Sequence, residues 1–149
     1  MKFKTAVKRT AEIAPYLKSQ LTALISAHKN SIILSIPRRI TGSVNIDAAL
    51  QSAYPNANRW DYAIGYYLSH QDDKVFFVEF HKANVKEVSL VLKKKQWLER
   101  WMDGKPINNL RQREFVWVSA GGINIPLNSP QIRNLNTNGI QLVRRLKLS

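Results

Sequence analysis

The chain has 149 residues, 23 of them Lys or Arg and 10 Asp or Glu, for a formal net charge of +13. A chain of about 150 residues buries roughly 70% of the surface its unfolded form exposes, which suits one domain with a real core; 44% apolar and 22% charged residues exclude wholesale disorder. Cysteine is absent, which excludes disulfides, a thiolate nucleophile and Cys-ligated zinc or iron–sulfur centres, while the charge excess opposes compaction and points to a polyanionic partner, nucleic acid ahead of an anionic membrane surface.

Lys2, Lys4, Lys8, Arg9 and Glu12 interrupt the first residues, and no later stretch reaches the roughly 18 apolar residues of a membrane span, so a soluble cytoplasmic protein with no membrane partner is expected. In chain order, Ala6, Val7, Ala14, Leu17, Leu21, Leu24 and Ile25 predict a helix over Thr5 to His28, kinked or restarted at Pro15. Ser31 to Ile36 is a short β-branched run closed by Pro37, and Asp47 to Ala53 suits one or two helical turns. Trp60 to Leu68 and Lys74 to Lys82 read as antiparallel strands of a hairpin around His70-Gln71-Asp72-Asp73. Asn84 is placed to cap a helix over Val85 to Met102, with an apolar stripe of Val85, Val88, Leu92, Leu98 and Met102 and a stop at Gly104 and Pro106. Glu114 to Ala120 reads as a buried strand followed by a Gly121-Gly122 turn, Ser129 to Asn136 as a short helix, and Ile140 to Leu148 as a last strand. A hairpin followed by a β-α-β crossover implies an α/β fold in which one domain, residues 1–149, carries a mixed sheet flanked by helices.

Two acids stand out. Asp61 opens the apolar run Trp60-Asp61-Tyr62-Ala63-Ile64, and Glu79 interrupts Val75-Phe76-Phe77-Val78-Glu79-Phe80, where a charge costs several kcal/mol unless it is paired or ligates a cation. Strand alternation puts Glu79 and His81 on one face. If the hairpin sets Asp61 beside Glu79, two carboxylates and a backbone carbonyl near Phe80 form a hard-cation site suited to Mg²⁺ or Mn²⁺, with Lys82, Lys86 or a protonated His81 near enough to hold a water and stabilise the pentavalent state of a cleaved phosphodiester. The competing reading is that both acids form buried ion pairs with Lys or Arg.

The order helix, strand hairpin, helix, strand, with Trp60-Asp61-Tyr62 and Glu79-Phe80-His81-Lys82 closing the next strand, resembles the PD-(D/E)XK nuclease-like superfamily over roughly residues 5 to 120. The resemblance implies a restriction-endonuclease-like core, divalent metal held by Asp61 and Glu79, and a water-assisting lysine two residues after the second acid. That position holds His81 here. Some members carry the lysine on the following helix, which makes Lys82, Lys86 or one of Lys93, Lys94 and Lys95 substitutes; a helical Glu also joins some such sites, which brings in Glu12.

Lys93-Lys94-Lys95 spans about 200° of a helix, a solvated face that in so basic a chain suits phosphates, as do Arg38 and Arg39. Trp97 and Trp101 share a helix face, and Trp60, Tyr62, Tyr66 and Tyr67 crowd a strand, as core or as base-stacking surface. No P-loop, dinucleotide fingerprint, G-x-S-x-G elbow or H-E-x-x-H occurs. A metal-dependent nuclease acting on DNA, or less readily RNA, is therefore expected, with a catalytically silent nucleic-acid-binding or partner-binding module on the same fold as the alternative. Trp97, Trp101 and Arg144-Arg145-Leu146-Lys147 suit a substrate, a homodimer or a protein partner equally.

Overall fold

In the computed structural model, which describes residues 1–149, helix α1 (Phe3–Arg9) and the two-residue strand β1 (Leu17–Lys18) precede α2 (Ser26–Lys29), β2 (Ile32–Leu34), β3 (Ile40–Asn45) and α3 (Ile46–Leu50). The hairpin β4 (Tyr62–Tyr67) and β5 (Asp73–Asn84) follows, then α4 (Val88–Met102), β6 (Arg113–Asn124), α5 (Pro130–Thr137), β7 (Ile140–Val143) and β8 (Leu146–Leu148). Six strands form one mixed sheet in the order β1-β3-β4-β5-β6-β7. β3, β4 and β5 run antiparallel, while β5, β6 and β7 are parallel, the parallel steps being bridged by α4 and α5 as long crossovers must be. No helix is long and apolar enough to cross a membrane.

Period-two alternation divides the strand side chains between two cores. Ala63, Val75, Phe77, Phe115 and Trp117 face a core shared with Phe3 and Val7 of α1 and with Val91, Leu98 and Met102 of α4. Tyr62, Ile64, Phe76, Val78, Val116 and Val118 face the other, covered by Leu21, Leu24, Ile32, Leu146 and Leu148. Glu79, two residues beyond Phe77, thereby falls on the helix-covered face. Every one of these core side chains is buried, each contributing on the order of 1.5–3 kcal/mol from surface removed from water.

The hairpin, both crossover helices and the mixed sheet match the sequence expectation, but several elements differ from it. The long N-terminal helix is not formed: α1 ends at Thr10, whose hydroxyl bonds back to the Ala6 carbonyl at 2.9 Å and accepts from the Ile107 N–H at 3.0 Å. Pro15 opens a single 3-10 turn, Ala14–Tyr16. The apolar residues that resemble one helical stripe serve opposite faces of the sheet, Ala6 and Val7 on one and Leu21 and Leu24 on the other. β3 has no sequence counterpart because its middle is Thr41-Gly42-Ser43, a weak strand former held between two neighbours. Gly121 and Gly122 lie inside β6 instead of forming a turn, and the last predicted strand splits, β8 leaving the main sheet to pair in parallel with β2. In α4 the buried stripe runs through Val91, with Leu92 only half-buried, and the first turn, Val85–Glu87, is 3-10 with no side-chain cap from Asn84.

Besides Glu79 a second acid, Asp73, is buried, and the sequence expectation does not include it. Its Oδ2 accepts the Phe3 N–H at 2.8 Å, and its Oδ1 lies 2.6 Å from the Lys2 ammonium, anchoring the start of α1 to β5. Close above this anchor, Phe3 packs on Gly65 of β4. A Cβ at Gly65 would sit 2.4 Å from Phe3 Cγ and 2.4 Å from Thr41 Oγ1, whereas one at Gly122 meets nothing within 4 Å. Gly65→Ala is expected to lower the unfolding free energy in urea by about 1–3 kcal/mol, from overpacking at a backbone contact, and Gly122→Ala to change it by less than about 0.5 kcal/mol.

Candidate active site

The register of β4 against β5 pairs Tyr62 with Val78, so the next step outward sets Asp61 against Glu79. Ladder bonds are replaced there by side-chain bonds. The Asp61 N–H donates to Glu79 Oε1 at 3.1 Å, and the Phe80 N–H donates to Asp61 Oδ2 at 2.9 Å. The Asp61 carbonyl accepts from Ile46 and Asp47 at 2.8 and 3.3 Å, tying it to the first turn of α3, which Asn45 caps through the Ala48 N–H at 2.9 Å. Backbone and one carboxylate oxygen of Asp61 are thus fixed, while Oδ1 receives no hydrogen bond from the protein.

Lys94 completes the cluster. It falls three residues after Val91 and four before Leu98, on the sheet-facing stripe of α4, and its ammonium reaches Glu79 Oε2 at 2.6 Å. Glu79 is fully buried. His81 lies on the same face, Nδ1 at 3.7 Å from Glu79 Oε2 and Nε2 at 2.9 Å from Glu87 Oε2; its carbonyl accepts the Trp117 indole N–H at 2.9 Å. On the opposite face His28 stacks on Phe80, ring centroids 4.1 Å apart, and its Nδ1 lies 2.9 Å from the Tyr62 hydroxyl.

Burial, aided by the neighbouring Asp61 charge, pushes the Glu79 carboxyl up to about 8 against the pull of Lys94. Burial raises the Asp61 carboxyl as well, opposed by the Phe80 N–H and by Lys94. Desolvation lowers the His28 imidazole, with the Asp61 charge working the other way, and the bond to His81 holds the Glu87 carboxyl low. Two carboxylates thus face one ammonium, and full ionisation leaves the pair one positive charge short. That deficit, together with the free Oδ1 of Asp61, suits a hard divalent cation that keeps most of its waters. No third His, Asp or Glu joins in a metal-binding group, so the protein would supply few ligands.

The sequence candidates separate clearly. Asp61, Glu79 and His81 come together as expected; the Phe80 group seen to engage Asp61 is its N–H. Glu79 does form a buried ion pair, with Lys94, whereas Asp61 pairs with no basic side chain and the neighbouring arginine pair belongs to Asp47 and Arg59, 2.9 Å apart. Lys82 and Lys86 are exposed and make no bond to either acid. The lysine run divides three ways: Lys94 turns inward, Lys95 lies over the Phe115 ring at 4.5 Å and near Glu99 at 3.3 Å, and Lys93 lines the groove between α4 and α5. Glu12 stands apart, receiving the Trp101 indole N–H at 3.2 Å with Lys105 at 3.8 Å. Trp97 and Trp101 stack on each other, and Trp101 is buried, which favours packing over base stacking. Arg38 is exposed and Arg39 half-buried, at the far end of β4 from the acids.

Lys94 is one of the candidate lysines that the sequence offers and is not singled out among them, and Glu87 and His28 are not among the sequence candidates. The signal for Lys94 is its spacing from Val91 and Leu98; His28 offers no such signal, because a third-layer contact depends on the unpredictable path of residues 10 to 30. Comparison with protein-family models, with characterised proteins and with solved structures returned no match.

The raised Glu79 carboxyl makes stability pH-dependent in a defined direction. An unfolded chain loses this proton near 4.5 and the folded chain near 8, so the folded state binds more protons in between and stability falls as pH rises. His28, lowered from 6.5, acts oppositely but only up to pH 6.5. Between pH 6.5 and 8, the unfolding free energy of the wild type in urea is expected to decline, and Glu79→Gln to flatten that decline; a wild-type profile that is flat over this window contradicts the assignment.

Proposed function

We propose that the protein is a divalent-metal-dependent nuclease that hydrolyses phosphodiester bonds in nucleic acid, DNA ahead of RNA. The observation that carries the proposal is the strand register that sets Asp61 against buried Glu79, with the Lys94 ammonium 2.6 Å from that second acid. The reading is supported by helix α1, the β4-β5 hairpin, α4 and the parallel strand β6 following the order helix, strand hairpin, helix, strand on which the PD-(D/E)XK resemblance rests, and by a lysine, Lys94, reaching the second acid from the following helix. An intracellular setting fits a basic chain without cysteine.

Asp61 and Glu79 would hold Mg²⁺ or Mn²⁺, which supplies a water of lowered pKa and neutralises charge on the scissile phosphate. The rest falls to the side chains of the protein. Asp61 presents Oδ1 while its Oδ2 is held by the Phe80 N–H, so the carboxylate cannot swing away from the site. Lys94 holds Glu79 in place and offers its remaining ammonium protons to an attacking water or to a phosphate oxygen, the work of a preorganised cation in a low-dielectric site. Glu87 fixes the His81 ring, which leaves His81 a neighbour of Glu79 and not a replacement for the lysine.

A catalytically silent binding module is the second possibility, favoured by His81 standing at the lysine position. Cleavage of plasmid and single-stranded substrates with Mg²⁺ or Mn²⁺ separates the two. The nuclease predicts metal-dependent cleavage that drops by about 10²-fold or more in each of Asp61→Asn, Glu79→Ala and Lys94→Ala, the scale of losing a preorganised charged group. His81→Ala should cost far less than Lys94→Ala. Cleavage that survives the first two substitutions removes the site, and its absence in the wild type with either metal favours the binding module.

A further inference from the structure

At the opposite end of β4 from the acid pair a groove of about 520 Å³ is lined by Lys2, Lys4, Arg38, Tyr67, His70 and Asp73 among others. Its charges sort into spent and unspent. Lys2 is used: its ammonium donates to the Ser69 carbonyl at 2.7 Å and pairs with Asp73 at 2.6 Å, which also takes the Phe3 N–H. The second nearby acid, Asp72, lies 2.5 Å from the Met1 amino group. Lys4, Arg38, Arg39 and His70 have no acidic partner and no hydrogen-bond acceptor within the protein, and Lys4, Arg38 and His70 are exposed. The Tyr67 ring is covered by the Lys2 ammonium at 4.5 Å and by the Arg39 guanidinium, 5.9 Å from its centroid, with His70 edge-on to it at 6.4 Å.

We infer that this groove is a phosphate-backbone site that holds a nucleic-acid strand away from the point of cleavage. The unpaired cations Lys4 and Arg38 in the groove and Arg39 beside it, against two neutralised acids, make a positive surface, where a polyanion releases counterions on binding. Lys2 and Arg39 already lie against the half-buried Tyr67 ring, and the other apolar side chain lining the groove, Ile40, is buried, so the groove presents cations and not the exposed apolar anchors on which an acidic peptide relies. Its contacts therefore go to phosphates and carry no sequence information. Its position adds a length. Asp61 and Tyr67 are six residues apart, about 20 Å along an extended strand at roughly 3.3 Å per residue, and the stretch between them is covered, with Ala63 buried and Phe3 packed on Gly65, so a bound strand would pass around it. The groove as a substrate-positioning element rests on the nuclease proposal; the groove as a backbone-binding site does not.

The test compares Lys4→Gln/Arg38→Gln with Lys18→Gln/Arg100→Gln, an exposed pair that makes the same charge change elsewhere. Both groove residues are exposed, and equal thermal midpoints establish that the variants are folded. Binding of duplex DNA, single-stranded DNA and single-stranded RNA, each in two unrelated sequences, is followed by fluorescence anisotropy across a salt series. The groove variant is expected to bind at least about tenfold more weakly at 0.15 M salt, equally for both sequences, with the duplex salt slope reduced by about 2 for two phosphate contacts; the control pair is expected to lose less than about threefold. The larger of the duplex and single-strand losses tells which form the groove prefers. Equal losses in the two variants, a loss confined to one sequence, no binding by the wild type, or displacement of nucleic acid by polyglutamate as readily as by heparin overturns the inference. Metal-dependent cleavage by a groove variant that binds normally removes the groove and leaves the nuclease; groove-dependent binding with no cleavage in any metal removes the nuclease and leaves the groove.

Discussion

Two carboxylates are forced together at the end of a strand pair, and much of the structure can be understood as what tolerates them. Asp61 and Glu79 are opposed because β4 and β5 are in register through six residue pairs, and a slip by one residue would turn Glu79 out of the helix-covered core and the flanking phenylalanines with it. The acids are held together, since the Asp61 N–H donates to the Glu79 carboxylate, the Phe80 N–H donates to the Asp61 carboxylate, and main-chain bonds tie Asp61 to α3. What remains adjustable is charge: a proton, the Lys94 ammonium or an added cation. Burial favours the proton, Lys94 opposes it, and a divalent ion would remove the need for it.

The positive charge of the chain consequently plays separate roles at separate places. One lysine of the 93–95 run is consumed inside, where it is worth most because the surroundings are dry. Its two neighbours pack along Phe115 and line the α4–α5 groove, while Lys4, Arg38 and Arg39 stand unpaired at the other end of the sheet. A net charge of +13 alone supports only a polyanionic partner. Its division between an interior cation and an exterior surface separates a group suited to chemistry from groups suited to holding a strand.

The strongly alternating segments were legible because one face of each is buried against a different core. Val75 to Phe80 announces both its strand and the anomaly of Glu79, and Asp61 is equally conspicuous among aromatic neighbours. The Asp61–Glu79 pairing followed from the hairpin alone. Lys94 is only one of five candidate lysines while the α4 stripe runs through Val85 and Leu92; the buried stripe through Val91 and Trp101 is turned by about 60° and brings Lys94 inward. The first thirty residues differ from expectation for another reason: their apolar residues are spaced like a helix, but Thr10, Pro15 and the positive φ of Gln20 redirect the chain so that it crosses from one face of the sheet toward the other. That path is decided by tertiary packing, and with it the placement of His28. Asp73 was hidden by its turn-like neighbours, although it is more thoroughly buried than Asp61.

The central claim is that the Asp61–Glu79 pair lacks a positive charge that a divalent cation supplies. Calorimetric titration of Mn²⁺ into the protein at pH 7, repeated in buffers of different ionisation enthalpy, measures binding and proton release together. Because Glu79 keeps its proton until about pH 8 and metal ligands must be deprotonated, about one proton should leave per Mn²⁺ bound; Asp61→Asn should abolish tight binding, and Glu79→Gln should remove any proton release. Absence of Mn²⁺ binding by the wild type, or binding that releases no proton and survives both substitutions, would contradict the account.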